Sequence, residues 1–340
     1  MNRTAKKLPI FLLSVAVMAT LIGLFSRNAS AETVVSTNAK EGLQISPVIV
    51  NLNASKGKSY TVPIKLTNVT TEDHTYYSAV NDFTSKDETG TTKVLFDSTL
   101  PTTASIRTWV VAPSKVTVRS GQALTIDAII NVPTNAESGG HYGTLYFSSK
   151  APSLDTNGVG QSAGTGMLFL VRVDGVIDEK ATVASFTTAS TTDDKQSSFF
   201  EKAPLKFVTR IKNEGNVHIQ PSGQIEVRDM FGNPVKTIKV NEQKANVLPN
   251  SIRRFDSTLD TGWMFGHYTA DVTLGYGTHG QVVTGTTDFW VIPYKIVAVI
   301  LIVLITLIFI LVRGVKVYNK RIIKKAIQKH DKNNSPYTKK

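Results

Sequence analysis

Residues 296–312 run for seventeen positions without a charged side chain. A helix rises about 1.5 Å per residue, so this run covers most of a roughly 30 Å hydrocarbon core. A buried core helix would be shorter or would keep a polar face, and this run does neither. Phe289, Trp290 and Tyr294 supply an aromatic belt on the upstream side, and Lys295 is placed to snorkel. Downstream, Arg313, Lys316, Lys320 and Arg321 open a dense basic cluster. The sequence therefore predicts a transmembrane helix over 293–312. By the positive-inside rule the basic tail, 313–340, is cytoplasmic and residues 32–292 lie outside a cell membrane crossed once. Residues 315–327 fit either an amphipathic helix against anionic lipid or a solvated tail behind a stop-transfer signal.

The opposite end repeats the logic in miniature. Arg3, Lys6 and Lys7 precede an apolar stretch over 8–25, followed by Ala29-Ser30-Ala31. Basic, apolar and small-residue segments in that order read as a signal peptide over 1–31, cleaved after Ala31. The length of the apolar stretch leaves an uncleaved anchor as the alternative.

These two ends account for the charge. The net charge is +12. Residues 1–31 hold four basic side chains and no acid, and residues 293–340 hold eleven against Asp331 alone. The stretch between them is near neutral, so the basicity concerns membrane topology and not a nucleic acid. There is no cysteine among the 340 residues, which removes disulfides, thiolate nucleophiles and cysteine-based metal sites together. An exported protein without disulfides must be held by its cores, and this favours a bacterial source.

Between the ends, short alternating runs are punctuated by Gly, Pro, Asn and Asp, and no stretch of helical period lasts more than about two turns. Strands are expected over 44–51, 59–68, 75–83, 94–96, 109–112, 115–118, 124–131, 143–148 and 167–173, the last completing the first sandwich and returning beside its opening strand. A second set follows over 205–213, 222–228, 234–240, 251–256, 266–276 and 282–292. Residues 150–166 read as a long polar loop, and 182–198 as a connector or a strand with a loose turn. The expectation is an all-β ectodomain of two immunoglobulin-like β-sandwich domains, 32–180 and 181–292, followed by one C-terminal transmembrane α-helix. The last strand runs almost directly into that helix, so the second domain should sit close to the bilayer. The two units echo each other in strands that end on an Asn-led turn, Lys65-Leu66-Thr67-Asn68 and Arg210-Ile211-Lys212-Asn213.

Three stretches carry a resemblance. Ile45-Ser46-Pro47 with Gly57 and Lys65-Leu66-Thr67-Asn68 is one. Val132-Pro133 with Ser138-Gly139-Gly140-His141-Tyr142-Gly143, read as a glycine-rich turn into a late strand, is another. The third joins Leu248-Pro249-Asn250-Ser251, Phe265-Gly266-His267-Tyr268 and Asp288-Phe289-Trp290-Val291-Ile292. In these the chain resembles the WxL-interacting proteins, cell-surface proteins of Gram-positive bacteria. The resemblance implies peptidoglycan association by the first domain and binding of a partner or host protein by the second.

Catalytic motifs are weak. Gly160-Gln161-Ser162-Ala163-Gly164 matches a nucleophile elbow and Gly158-Val159-Gly160 mimics a dinucleotide fingerprint, but neither is framed by a buried strand and a helix. His74, His141, His218, His267, His279 and His330 show no close pairing for zinc and read as turn or surface residues. Asp87-Glu88 and Asp193-Asp194 read as solvated turns instead of calcium ligands. Leu100-Pro101-Thr102-Thr103-Ala104 lies too far from the membrane run for a sortase signal, and the sequons at Asn53 and Asn68 say nothing in a bacterial protein. Tyr76, Tyr77, Trp109, Tyr142, Tyr146, Trp263 and Tyr268 divide between core and a stacking surface, with core favoured. No cofactor or metal is expected and no enzyme activity. The function predicted is a membrane-anchored binding scaffold. Its partners would be the lipid bilayer and cell-wall polymer such as peptidoglycan, or another exported surface protein. The alternative is an assembly factor that acts on exported subunits by β-strand addition.

Overall fold

The computed structural model describes residues 42–96, 100–149 and 164–333. The signal segment, the cleavage site after Ala31, the Ser162 motif, the Gly158-Val159-Gly160 fingerprint and the last residues of the basic tail lie outside them.

Ten strands form the first sandwich: β1 (Leu43–Ser46), β2 (Ile49–Ala54), β3 (Ser59–Asn68), β4 (His74–Ser85), β5 (Thr92–Leu95), β6 (Val110–Val111), β7 (Lys115–Val118), β8 (Ala123–Asn131), β9 (Gly139–Ser148) and β10 (Gly164–Val173). One sheet has the order β1-β3-β8-β6. The other runs β2-β10-β9-β4, with both β5 and β7 paired to β4. Alternation explains the layering. On β3, Val62, Ile64, Leu66 and Asn68 are buried while Thr61, Pro63 and Lys65 face solvent. The inward residues meet Trp109, Phe147, Phe169 and Val171 in one core. Each such side chain withdrawn from water stabilises the fold by about 1.5–3 kcal/mol.

The second sandwich is built from β11 (Ala181–Ser190), β12 (Phe199–Phe200), β13 (Leu205–Asn213), β14 (Ser222–Asp229), β15 (Pro234–Val240), β16 (Ile252–Leu259), β17 (Gly266–Tyr276) and β18 (Gln281–Val291). Its sheets have the orders β11-β13-β16 and β12-β18-β17-β14-β15. Phe200, Phe207, Tyr268 and Phe289 centre a separate core.

The two sandwiches share one topology. In each, an opening strand pairs antiparallel with a central one, β1 with β3 and β11 with β13. The chain then crosses to the other sheet and lies parallel to that sandwich's last strand, β2 on β10 and β12 on β18. The return of 167–173 beside the opening of the chain is thus observed as the β2–β10 ladder. The central strands end on matching asparagines. Asn68 Nδ2 donates to the carbonyls of Glu72 and Val118 at 2.7 and 3.0 Å, and its Oδ1 accepts from Thr70 N at 2.9 Å. Asn213 Nδ2 donates to Val217 and Val247 at 2.7 and 2.8 Å, and its Oδ1 accepts from Gly215 N at 2.9 Å.

Three expectations are corrected. The strand over 44–51 is two strands in different sheets, broken at Pro47-Val48, because Pro47 has no N–H to give to a ladder. Residues 138–143 are not a turn before a strand. β9 already runs from Gly139, paired to β10 throughout. Its glycines serve close approach, since a Cβ on Gly143 would lie 2.1 Å from Ile106 Cγ2. Of the two readings of 182–198, the strand with a turn is the one observed: 182–190 belong to β11, closed by a turn at Asp194, which has a positive φ of 58°. Finally, the helix α1 (Tyr294–Asn333), 40 residues in all, does not end near Val312 but continues to Asn333. Lys, Arg, Ala and Gln favour the helix there, and no proline interrupts it. None of its apolar window is buried against protein, and it is long and apolar enough to cross a membrane.

Candidate functional site

The outer face of the larger sheet in the first sandwich is not simply solvated. Phe83 and Leu170 are buried yet stand outside the sandwich core. They point the other way, toward residues 243–253 of the second sandwich. Between them lies a cleft of about 290 Å³, floored by Ile49, Phe83, Leu168 and Leu170 and walled by Lys244 and Arg253.

Three contacts hold this cleft in shape. The turn joining β4 to β5 reaches the second sandwich, where Glu88 receives the Arg210 guanidinium through both its oxygens, the Nε contact at 2.6 Å. Those hydrogen bonds hold the Glu88 carboxyl below its usual range. The Glu88 carbonyl also accepts from Arg254 N at 2.7 Å. On the other side, the Tyr142 hydroxyl accepts from His218 N at 2.7 Å, and the two rings meet edge-on at 5.7 Å. Burial pushes the His218 imidazole down to about 4. The connecting segment is fixed by Asn216, whose Nδ2 donates to Val176 O at 2.9 Å and whose Oδ1 accepts from Asp178 N at 2.8 Å. Glu179 joins Arg172 at 2.6 Å to Thr278 N at 2.7 Å. Burial pushes that carboxyl up, but the hydrogen bonds from Thr278 and Arg172 outweigh it and hold it below the usual range.

Arg253 and Lys244 bring charge to the cleft with no carboxylate partner among the described residues, and Arg253 is the more buried of the two. Its Nη1 donates to Asn246 O at 2.7 Å, and its guanidinium lies over the Phe255 ring, 5.8 Å from the centroid. No carboxylate pairs with it among the described residues, and burial lowers its affinity for the proton. Neighbouring Arg254, on the opposite face of β16, is compensated by Asp194 and Asp256. An apolar floor beside an unpaired guanidinium suits a ligand with apolar side chains and an anionic group.

One strand edge adjoins the cleft. β2 pairs with β10 only from Leu168 onward, the Leu168 amide reaching Val48 O at 2.8 Å. Gly164, Thr165, Gly166 and Met167 continue the ladder to β9 on one side and, among the described residues, have no strand on the other. Since Leu168 turns its amide toward β2, the Gly166 N–H and C=O face the same open side.

The sequence-predicted interface residues fall along one path. Trp290 is at the end of β18, its ring 5.0 Å from His267. Tyr294 opens α1, and Lys295 lies near its ring and bonds Glu201 at 2.7 Å. Arg313, Lys316, Lys320 and Arg321 are all exposed along α1. The structure does not gather them into a pocket. Two readings of single residues are corrected. His141 is buried, its ring nitrogens 2.7 and 2.9 Å from the carbonyls of Ala104 and Glu137, because it packs on Trp109 in the core. Glu88 and Asp194 are ion-pair partners and not free turn acids. Tyr76, Trp109 and Tyr268 are core, whereas Trp263 is exposed. Sequence places Tyr142 only among the aromatics divided between core and a stacking surface and His218 among the turn or surface histidines, whereas the structure pairs the two across the junction. Arg253 is not singled out by sequence. The only signal was the adjacency of Arg253 and Arg254 in a strand, which must place one arginine on each face. Among the described residues no cluster of three His, Cys, Asp or Glu side chains is arranged to hold a metal.

No protein-family model matches the sequence, and no curated protein matches it. Several solved structures are similar. The class 5 fimbriae chaperone CfaA shares 13% identity over 72% of this chain and 99% of its own, with a TM-score of 0.35. The CupB2 chaperone of Pseudomonas aeruginosa shares 10% identity over 73% of this chain and 100% of its own, TM-score 0.31. The Escherichia coli chaperone DraB shares 14% over 73% and 95%, TM-score 0.32. No residue role in this chain follows from them.

Proposed function

We propose that this protein is an exported binding module, held at the outer face of a cell membrane by α1, that takes an extended segment of another exported polypeptide as an added strand. The observation that supports this is the open edge of β10. On β10, Gly164 and Gly166 turn their backbone groups to a side that carries no partner strand among the described residues, next to an apolar cleft with an unpaired arginine. Strand addition draws its affinity from main-chain hydrogen bonds and its specificity from pockets for alternate side chains. The cleft supplies such a pocket, and Arg253 would receive an acidic side chain or a terminal carboxylate. The module performs no chemistry of its own.

Because the chain has no cysteine, one introduced thiol reports on one place. Thr165→Cys in the full chain, carrying a photoreactive group, should crosslink in intact cells to a defined exported polypeptide. Thr273→Cys, on β17 between two partner strands, should not. Equal labelling at both positions, or none at Thr165, overturns the proposal. Association with cell-wall polymer, the reading drawn from the family resemblance, predicts a different result. The full chain would then sediment with isolated peptidoglycan, and the Thr165 position would trap no protein.

A further inference from the structure

The end of the second sandwich nearest α1 differs from the rest of the surface. Phe231 is 81% exposed and Trp263 is 73% exposed, with Phe265, Met230, Phe199 and Trp290 each about half exposed. Exposed single hydrophobics are ordinary, but six large ones at one rim are not.

Strand register places them together. β17 begins at Gly266 opposite Val291, the last residue of β18, so the loop carrying Trp263 and Phe265 lies at the level where the chain leaves for α1. Asp229 at the end of β14 is opposite Tyr268, and the following turn projects toward the same rim. The two loops touch, since the Met230 methyl lies where a Cβ on Gly266 would be. Phe199 is opposite Trp290. Between Val291 and Tyr294 only Ile292 and Pro293 intervene.

The turns are also stiff. Asp229 Oδ1 accepts from the amides of Phe231 and Asn233, both at 2.9 Å, and Gly232 takes the left-handed φ of 83° that the turn requires. The Phe265 amide is held by the Tyr268 hydroxyl at 3.0 Å. With the backbone held at these points, Phe231 and Trp263 stand exposed to solvent. The far rim of the same sandwich carries Glu242, Gln243, Lys244, Thr278 and His279 instead.

We infer that this rim is a second membrane contact: the Phe231 turn and the Trp263 loop insert into the interfacial layer of the bilayer that α1 crosses, fixing the tilt of the second sandwich on the membrane. The inference rests on α1 being a membrane span. Lipid is the occupant because the two-residue link to α1 brings the rim to the bilayer, and aromatic side chains on amphipathic surfaces favour the interface.

The full chain, with Phe231→Cys bearing an environment-sensitive fluorophore, is reconstituted into phosphatidylglycerol vesicles containing phosphatidylcholine brominated on its acyl chains. His279→Cys at the far rim is the control, and both sites are exposed enough to leave folding intact. The expected result is a chain that resists alkaline extraction, with the label at position 231 quenched several-fold more than that at 279. Resistance to extraction with equal quenching at both positions overturns the inference and leaves the anchor in place. Release by alkali overturns the anchor, and the inference with it.

Discussion

Asn68 and Asn213 occupy the same place in two sandwiches, each buried side chain closing a central strand with hydrogen bonds to its own turn and to a distant strand or loop. Neither side chain is accessible to solvent. Removing the Asn213 amide strands two buried carbonyls and one buried N–H, removing that of Asn68 strands the buried Val118 carbonyl and two part-buried groups, and each buried orphan costs about 1–3 kcal/mol. Asn68→Ala and Asn213→Ala should therefore each lower stability by roughly 2–4 kcal/mol, read from urea unfolding followed by circular dichroism. A loss below 1 kcal/mol at either site would show that water replaces the side chain.

Phe289 stands at the middle of the second core, with ring centroids of Phe200, Phe207 and Tyr268 at 6.3, 5.7 and 5.5 Å. Phe289→Ala should cost about 3–5 kcal/mol. Phe289→Leu keeps most of the volume and should cost clearly less, a comparison that urea midpoints settle.

Acid should weaken the junction between the sandwiches. Burial holds His218 down to about 4 in the folded protein, against about 6.5 for a free imidazole. The unfolded chain therefore takes up the proton first, and this contribution to stability is complete above about pH 6.5 and lost as pH falls toward 4. In His218→Gln the drop in melting temperature between neutral and mildly acidic buffer should shrink. An unchanged slope would mean that the ring is not buried as a neutral group.

Glu88→Gln tests the other side of the junction. Both partners of the Glu88–Arg210 pair are more than a third exposed, so the loss should stay under about 1 kcal/mol and vanish at high salt. Tyr142→Phe, which removes the acceptor of a buried backbone amide, should cost more, roughly 1–3 kcal/mol, with little salt dependence.

The fold class was legible because period-two alternation dominates. Ser59–Asn68, Lys115–Val118, Leu205–Asn213, Pro234–Val240 and Gly266–Tyr276 have the bounds that the pattern predicts. Glycine and proline hid the rest. Gly139 and Gly140 look like a turn, yet belong to a strand whose neighbours come too close for a Cβ, and Pro47 reads as one residue of a strand although it divides two. The candidate cleft was not legible at all. Leu168, Leu170 and Phe83 look like ordinary core residues, and only their outward face, covered by the other sandwich, gives them a second role. The buried ring of His218 has the same origin, since no local pattern announces a contact made across a domain junction.

The short passage from β18 to α1 has a mechanical meaning. A load drawn through the helix enters the sandwich along the axis of β18, whose eleven residues are all paired with β17. Such a ladder is pulled in shear, with its hydrogen bonds sharing the force, and does not open one rung at a time. The second sandwich is thereby joined to its helix through a ladder that resists tension along the chain.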